Sequence, residues 1–253
     1  MGLRPSRIFE TAKAGNRPGE CEDACRDSYP YNGGSARIAV CDGASESAFA
    51  REWAEILAEA FVRSPLDLSS LDDASLAMWL SPGQEKWDRA VPWERIPWHG
   101  EAKTGAGAMA ALLGLEIDQT TNEAGAFSWR ALAVGDCCLF VIRNGTLAVS
   151  FPMDSAAQFN NTPSLICSNQ ANNAGLWQRV HRLQGECLPG DLVILASDAL
   201  ACWLLQERES GGKPWETLLE FHSNREWDDW LQARRSERAM RNDDTTLIIV
   251  KVE

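Results

Sequence analysis

The chain has 253 residues, with 24 Lys and Arg against 36 Asp and Glu, a formal charge of -12 and a pI near 4.8. A nucleic-acid backbone or an anionic membrane surface would repel such a chain, so neither is expected as a partner. With 45% hydrophobic residues it can bury a sizeable core, and one domain over 1–253 is expected.

No apolar run approaches the roughly 20 residues that cross a bilayer, and the start MGLRPSRIFE lacks an apolar signal core, which together point to the cytoplasm. Met1-Gly2 with Ser6 matches the outline of a myristoylation pattern, although a single acyl chain anchors only marginally. The eight cysteines form no C-x-x-C pair, and several lie in apolar runs, where a thiol packs as a small hydrophobe. Reduced, mostly buried thiols are expected rather than a zinc site or a disulfide framework.

In chain order, the run ARIAVC at 36–41 reads as a buried strand. Ala48, Phe49, Trp53, Ile56, Leu57, Ala60 and Phe61 then recur at helical spacing behind a capping serine at 45 or 47, which predicts a helix over 47–63. Residues 64–103 carry Trp79, Trp87, Trp93 and Trp98 among Pro82, Pro92 and Pro97. They read as a helix plus an irregular insert whose tryptophans cover the sheet. A weaker strand is expected at 105–115 and a buried one at 131–135. Residues 137–143 and 146–151 meet at Arg143-Asn144-Gly145, an antiparallel hairpin signal. The Asn-rich stretch 160–175 reads as a loop, 192–197 as a buried strand, and 199–206, 215–222 and 227–240 as helices, the last with an Arg/Glu-rich solvent face. A buried strand at 245–252 closes the chain.

The carboxylates stand at the ends of these strands. Asp42 follows ARIAVC, Asp136 follows ALAVG and Asp198 follows LVILAS, while Asp243-Asp244 precedes TTLIIVKV. If the last strand runs antiparallel to its neighbours, all of them gather at one edge. A single aspartate there is an ordinary turn residue, but several anions at one edge repel one another unless cations neutralise them. Oxygen-only ligation is the preference of Mg²⁺ and Mn²⁺, and none of His99, His181 and His222 adjoins these strands.

The succession C-E-D-A, A-V-C-D-G, A-V-G-D, I-L-A-S-D and N-D-D-T-T-L-I-I-V, running from Glu22 to Val252, resembles the protein phosphatase 2C-like, metal-dependent phosphatases of bacterial type. The resemblance implies an α+β fold, a four-layer α-β-β-α sandwich of two antiparallel sheets flanked by helices. It also implies hydrolysis of phosphoserine or phosphothreonine in a phosphoprotein, opposite a serine/threonine kinase. Two Mn²⁺ or Mg²⁺ ions, with a third weaker one, would be the cofactors. Asp42 would bridge both metals and the Gly43 carbonyl would ligate one. Asp198 and Asp243 would complete the first metal's ligands, Glu22 would contact the second with Asp23 behind it, and Asp136 would help hold the third. Asp42 and Asp198 would be the residues on which catalysis rests.

The sequence departs from the family pattern in several places. The phosphate-gripping arginine usual four residues before the glutamate is replaced by Pro18, leaving Arg17, one residue away, as the candidate phosphate ligand. The histidine found in eukaryotic members is Ala44, the usual glycine after the second aspartate is Ala199, the usual arginine two after the third is Cys138, and Gly105-Ala106-Gly107 lacks the usual threonine. Because every implied metal ligand is present, an active phosphatase is expected. The alternatives are a phosphatase-like binding module and a hydrolase of small phosphate esters.

Overall fold

The computed structural model describes residues 4–30, 34–64, 66–68, 71–122, 125–160 and 162–253. The myristoylation pattern at Met1-Gly2 lies outside the described residues, as do the side chains of Ser6 and His99.

Two antiparallel sheets form the centre. One contains β1 (Arg4–Thr11), β6 (Cys138–Arg143), β7 (Thr146–Phe151), β10 (Leu192–Ala196) and β11 (Thr245–Lys251) in the order β1-β11-β10-β6-β7. The other contains β2 (Asp23–Ser28), β3 (Ser35–Gly43), β4 (Met109–Thr121), β5 (Phe127–Val134) and β9 (His181–Cys187) in the order β2-β3-β4-β5-β9, with the short β8 (Ile166–Cys167) paired to β4. The helices α1 (Ala50–Arg63) and α2 (Asp73–Ala90) cover the second sheet. The helices α4 (Asp198–Glu209), α5 (Pro214–Leu218) and α6 (Asn224–Ser236) cover the first, and α3 (Trp98–Gly105) leads into β4. This is the expected four-layer α-β-β-α sandwich.

Strand alternation sorts the apolar residues among the layers. In β3, Ile38 and Val40 face the gap between the sheets while Ala39 and Cys41 face α1 and α2. In β10, Val193 and Leu195 face the gap while Ile194 and Ala196 face α4 to α6, and β11 repeats this with Ile248 and Val250 against Leu247 and Ile249. Both faces of each central strand are therefore buried, which is why these segments read as continuous apolar runs. All eight cysteines are buried and unpaired, several of them in these layers.

The layers approach closely at two glycines. A Cβ on Gly114 of β4 would stand 2.2 Å from the ring of Phe61 in α1, so the missing side chain seats that ring on the sheet. Gly135, with φ +103°, turns the chain from β5 in one sheet to β6 in the other, and a Cβ there would meet that of Ala111 at 2.5 Å.

Several expectations need adjusting. The insert is more regular than its prolines suggested: α2 runs through Pro82, which sits on its exposed side, and α3 follows. Of its tryptophans, Trp87 is buried and Trp79 packs partly against the core, whereas Trp93 is partly exposed and Trp98 is 83% exposed, so the cover is only half aromatic. The strand expected at 105–115 begins at Met109, because 105 still belongs to α3. The stretch 160–175 contains β8 and one short helical turn rather than only loop. The solvent face expected for the last helix contains a buried arginine, Arg235.

A candidate metal centre at the mouth of the sandwich

Parity along the strands aims the carboxylates. Asp42 continues the Ile38–Val40 row, and Asp23 of β2 lies directly opposite it in the β2–β3 register, so both project toward the gap between the sheets at one end. From the other sheet, Asp198 follows β10 and opens α4, while Asp243 precedes β11, which runs antiparallel to β10 with Ala196 facing Leu247. Asp136 lies in the crossover from β5 to β6. The carboxylates thus meet across two sheets rather than along one sheet edge.

Asp42, Asp136, Asp198 and Asp243 line one cleft of about 480 Å³, together with Gly43 and the loop at Thr162 and Pro163. Gly43 is required by packing: a Cβ there would stand 2.7 Å from the Glu22 carbonyl and 2.9 Å from that of Ala50. Its own N–H donates to the Glu22 carbonyl at 3.2 Å, tying β3 to the segment before β2.

A polar scaffold beneath the cleft fixes these segments. Asp23 is buried, and its Oδ2 accepts from the Thr246 hydroxyl at 2.8 Å, bridging the two sheets. Ser197, fully buried, accepts from the Thr246 N–H at 2.9 Å through its Oγ. Asp244 accepts from the backbone N–H of Lys13 at 2.7 Å and of Glu22 at 2.6 Å, so the adjacent pair Asp243-Asp244 divides its work, one facing the cleft and the other clamping two loops. Arg235 donates to the Ala12 carbonyl at 3.0 Å, the Thr245 hydroxyl at 3.1 Å and the Asp243 carbonyl, which sets the turn that carries Asp243.

The electrostatics are those of crowded anions. Burial pushes the Asp42 carboxyl well above its usual range, with Asp23, Asp198 and Asp243 adding repulsion. Burial also raises Asp23 and Asp198, the latter opposed by Arg241. Asp136, 3% exposed, is pushed up to about 7, first by burial and then by Asp198. Among the described residues, the buried Oδ1 atoms of Asp23 and Asp198 have no hydrogen-bond partner.

The folded-state pKa values of these carboxyls lie above the usual 3.8, so between that value and about 7 the folded chain holds more protons than the unfolded one. Stability without divalent cations should therefore fall as the pH rises through this window. Thermal midpoints between pH 5 and 8 in chelator check it; a midpoint that climbs over the range contradicts the crowding.

The donor chemistry fits a hard divalent cation: carboxylate oxygens, a backbone carbonyl, and orphaned buried oxygens that a cation would satisfy. Among the described residues, however, no group of three or more His, Cys, Asp or Glu side chains is arranged to hold a metal ion. Two of the expected ligands are instead engaged by the chain's own cations. Glu22 does not line the cleft; its carboxylate accepts from Lys13 Nζ at 3.2 Å and from the Ser45 hydroxyl. Asp198 pairs with Arg241, Nη1 to Oδ2 at 3.4 Å. Arg17 is exposed and outside the cleft lining, whereas Lys103 and Arg241 are in it. Lys13, Arg235 and Arg241 carried no signal in the sequence.

No family model and no curated protein matches the chain by sequence. Solved structures do match it along its whole length. The photosystem II phosphatase PBCP superposes with a TM-score of 0.59 at 15% identity, covering 100% of this chain and 99% of that one. PppA, a regulatory component of the type VI secretion system in Pseudomonas aeruginosa, gives 0.59 at 17% identity over 100% and 99%. The catalytic domain of the serine/threonine phosphatase PstP, solved with two manganese ions, gives 0.59 at 15% identity over 99% of each chain. At these identities the likeness establishes the fold.

Proposed function

We propose that this chain, which has the protein phosphatase 2C-like fold, is a metal-dependent phosphatase that hydrolyses phosphoserine or phosphothreonine esters in a phosphoprotein, opposite a serine/threonine kinase. The observation that carries the reading is the meeting of Asp42, Asp136, Asp198 and Asp243 with Gly43 in one cleft, on a fold shared end to end with serine/threonine phosphatases.

In this reading Asp42, the Gly43 carbonyl, Asp198 and Asp243 would hold two Mn²⁺ or Mg²⁺ ions and Asp136 a third, weaker one, and Glu22 would join them only on leaving Lys13 and Ser45. Bound there, the cations supply Lewis-acid activation of water near neutral pH and neutralise phosphate charge. Asp23, Asp244 and Arg235 hold the ligand-bearing segments in place, and Asp42 and Asp198 remain ionised once a cation offsets their repulsion. No side-chain nucleophile is needed: the cysteines are buried, with burial raising Cys41 and Cys137. With Ala44 in the position of the eukaryotic histidine, solvent protonates the leaving alkoxide.

A second reading, a binding module without turnover, draws on the Lys13–Glu22 and Arg241–Asp198 pairs, which neutralise two carboxylates internally. Phosphate release from a phosphoserine peptide and from a small aryl phosphate, each with Mn²⁺ or with chelator, separates the readings. The proposed function predicts Mn²⁺-dependent release with the higher kcat/KM on the peptide. Preference for the small ester indicates a small-ester hydrolase, and no release from either indicates the binding module.

A further inference from the structure

A phosphate monoester entering the cleft meets a wall of anions: Asp42, Asp136, Asp198 and Asp243 all line it. Like charges at such distances oppose entry unless fixed cations compensate. The arginine nearest the expected sequence position, Arg17, lies outside the lining, and its backbone N–H donates to Glu20. The cationic side chains that do line the cleft are Lys103 and Arg241. Lys103 is an exposed ammonium at the end of α3, a point charge without a planar fork. Arg241 is in the connection from α6 to β11, two residues before Asp243, and reaches back to Asp198 at the start of α4.

The geometry of that contact matters. Nη1 to Oδ2 is 3.4 Å, an ion pair longer than a good charged hydrogen bond, and the Arg241 side chain remains 40% exposed. Cys202, one turn along α4, lies beside Arg241 in the surface there. The group is thus held at the cleft by a loose pairing while the side chain stays partly exposed. A guanidinium fork matches two phosphate oxygens as an ammonium does not.

We propose that Arg241 grips the phosphoryl group of the substrate, exchanging its loose pairing with Asp198 for the phosphate oxygens. The inference rests on the proposed phosphatase reading and replaces Arg17 as the phosphate ligand. It also makes Asp198 a carboxylate for which Arg241 and a divalent cation compete. Removing the guanidinium therefore moves two affinities in opposite directions, which a merely structural surface ion pair would not do.

The test is calorimetric titration of the full chain, first with Mn²⁺ alone and then, in saturating Mn²⁺, with inorganic phosphate. Arg241→Gln should bind phosphate about tenfold or more weakly, the scale of a lost charge-assisted contact. It should bind Mn²⁺ a few-fold more tightly, the scale of a released exposed pair. Arg241→Lys, which keeps the charge without the fork, should fall between wild type and Gln for phosphate, and Arg17→Gln should lose less than Arg241→Gln. Unchanged phosphate affinity in Arg241→Gln, or a larger loss in Arg17→Gln, overturns this inference while leaving the metal centre standing. Wild-type protein that takes up neither Mn²⁺ nor phosphate overturns the site reading and this inference together.

Discussion

Asp42→Asn should abolish metal-dependent turnover while leaving the chain folded. The substitution keeps the shape of the side chain and removes one negative charge from the position expected to touch two dications. Loss of an outer-shell partner alone costs about 10- to 100-fold in metal affinity or activity, so loss of a bridging ligand should cost at least on the order of a hundredfold in each. Without cations the same change relieves repulsion from Asp23, Asp198 and Asp243, so the thermal midpoint in chelator should hold or rise at pH 7.5. The rise should shrink as the pH is lowered, because protonation of these raised carboxyls relieves the same repulsion. Turnover and Mn²⁺ affinity close to wild type would remove Asp42 from the metal centre. An unfolded variant would make it a structural turn residue.

Arg235 should matter nearly as much, through position rather than contact. It is 8% exposed and donates to the Ala12 and Asp243 carbonyls and the Thr245 hydroxyl, so it fixes the turn that presents Asp243 to the cleft. Arg235→Met keeps most of the stem's packing and leaves those acceptors without a charged donor, at a cost of about 2 kcal/mol or more in stability. If the turn then drifts, Mn²⁺ affinity should drop by about tenfold at temperatures where the variant is fully folded. Leu231→Ala, on the same helix and fully buried, supplies the comparison. It should lose a similar stability and keep its Mn²⁺ affinity. Equal Mn²⁺ affinity in both variants would reduce Arg235 to a purely structural residue.

These two residues mark the limits of what the sequence discloses. Asp42 was legible because it follows a run buried on both faces, and such runs read the same in sequence as in space. The central strands 36–41, 192–197 and 245–252 are legible for that reason, and the hairpin at Asn144-Gly145 by its turn residues, both of which have positive φ. The strands β1, β2 and β9 were missed. Segments such as RPSRIFET and HRLQGEC lie at or near sheet edges, carry polar residues, and are strands only because a neighbour pairs with them.

Arg235 and Arg241 were illegible for a related reason. In ARRSERAMR one arginine looks like another, and only the docking of α6 against β1 and β11 turns Arg235 inward. Glu22 shows the opposite limit. Its place in the chain matches the motif, yet its carboxylate lies with Lys13 and Ser45, a side-chain choice that no motif encodes.

A divalent-metal centre in the cleft between the sheet ends would leave a direct crystallographic signature. Crystals of the full chain soaked in Mn²⁺, with data collected at the manganese absorption edge, test it most directly. Anomalous peaks are expected in the cleft within ligand distance of Asp42, one of them also touching Asp198 and Asp243, with Arg241 drawn away from Asp198. An empty cleft at a Mn²⁺ concentration that supports phosphate release, or manganese bound only elsewhere on the protein, would contradict it.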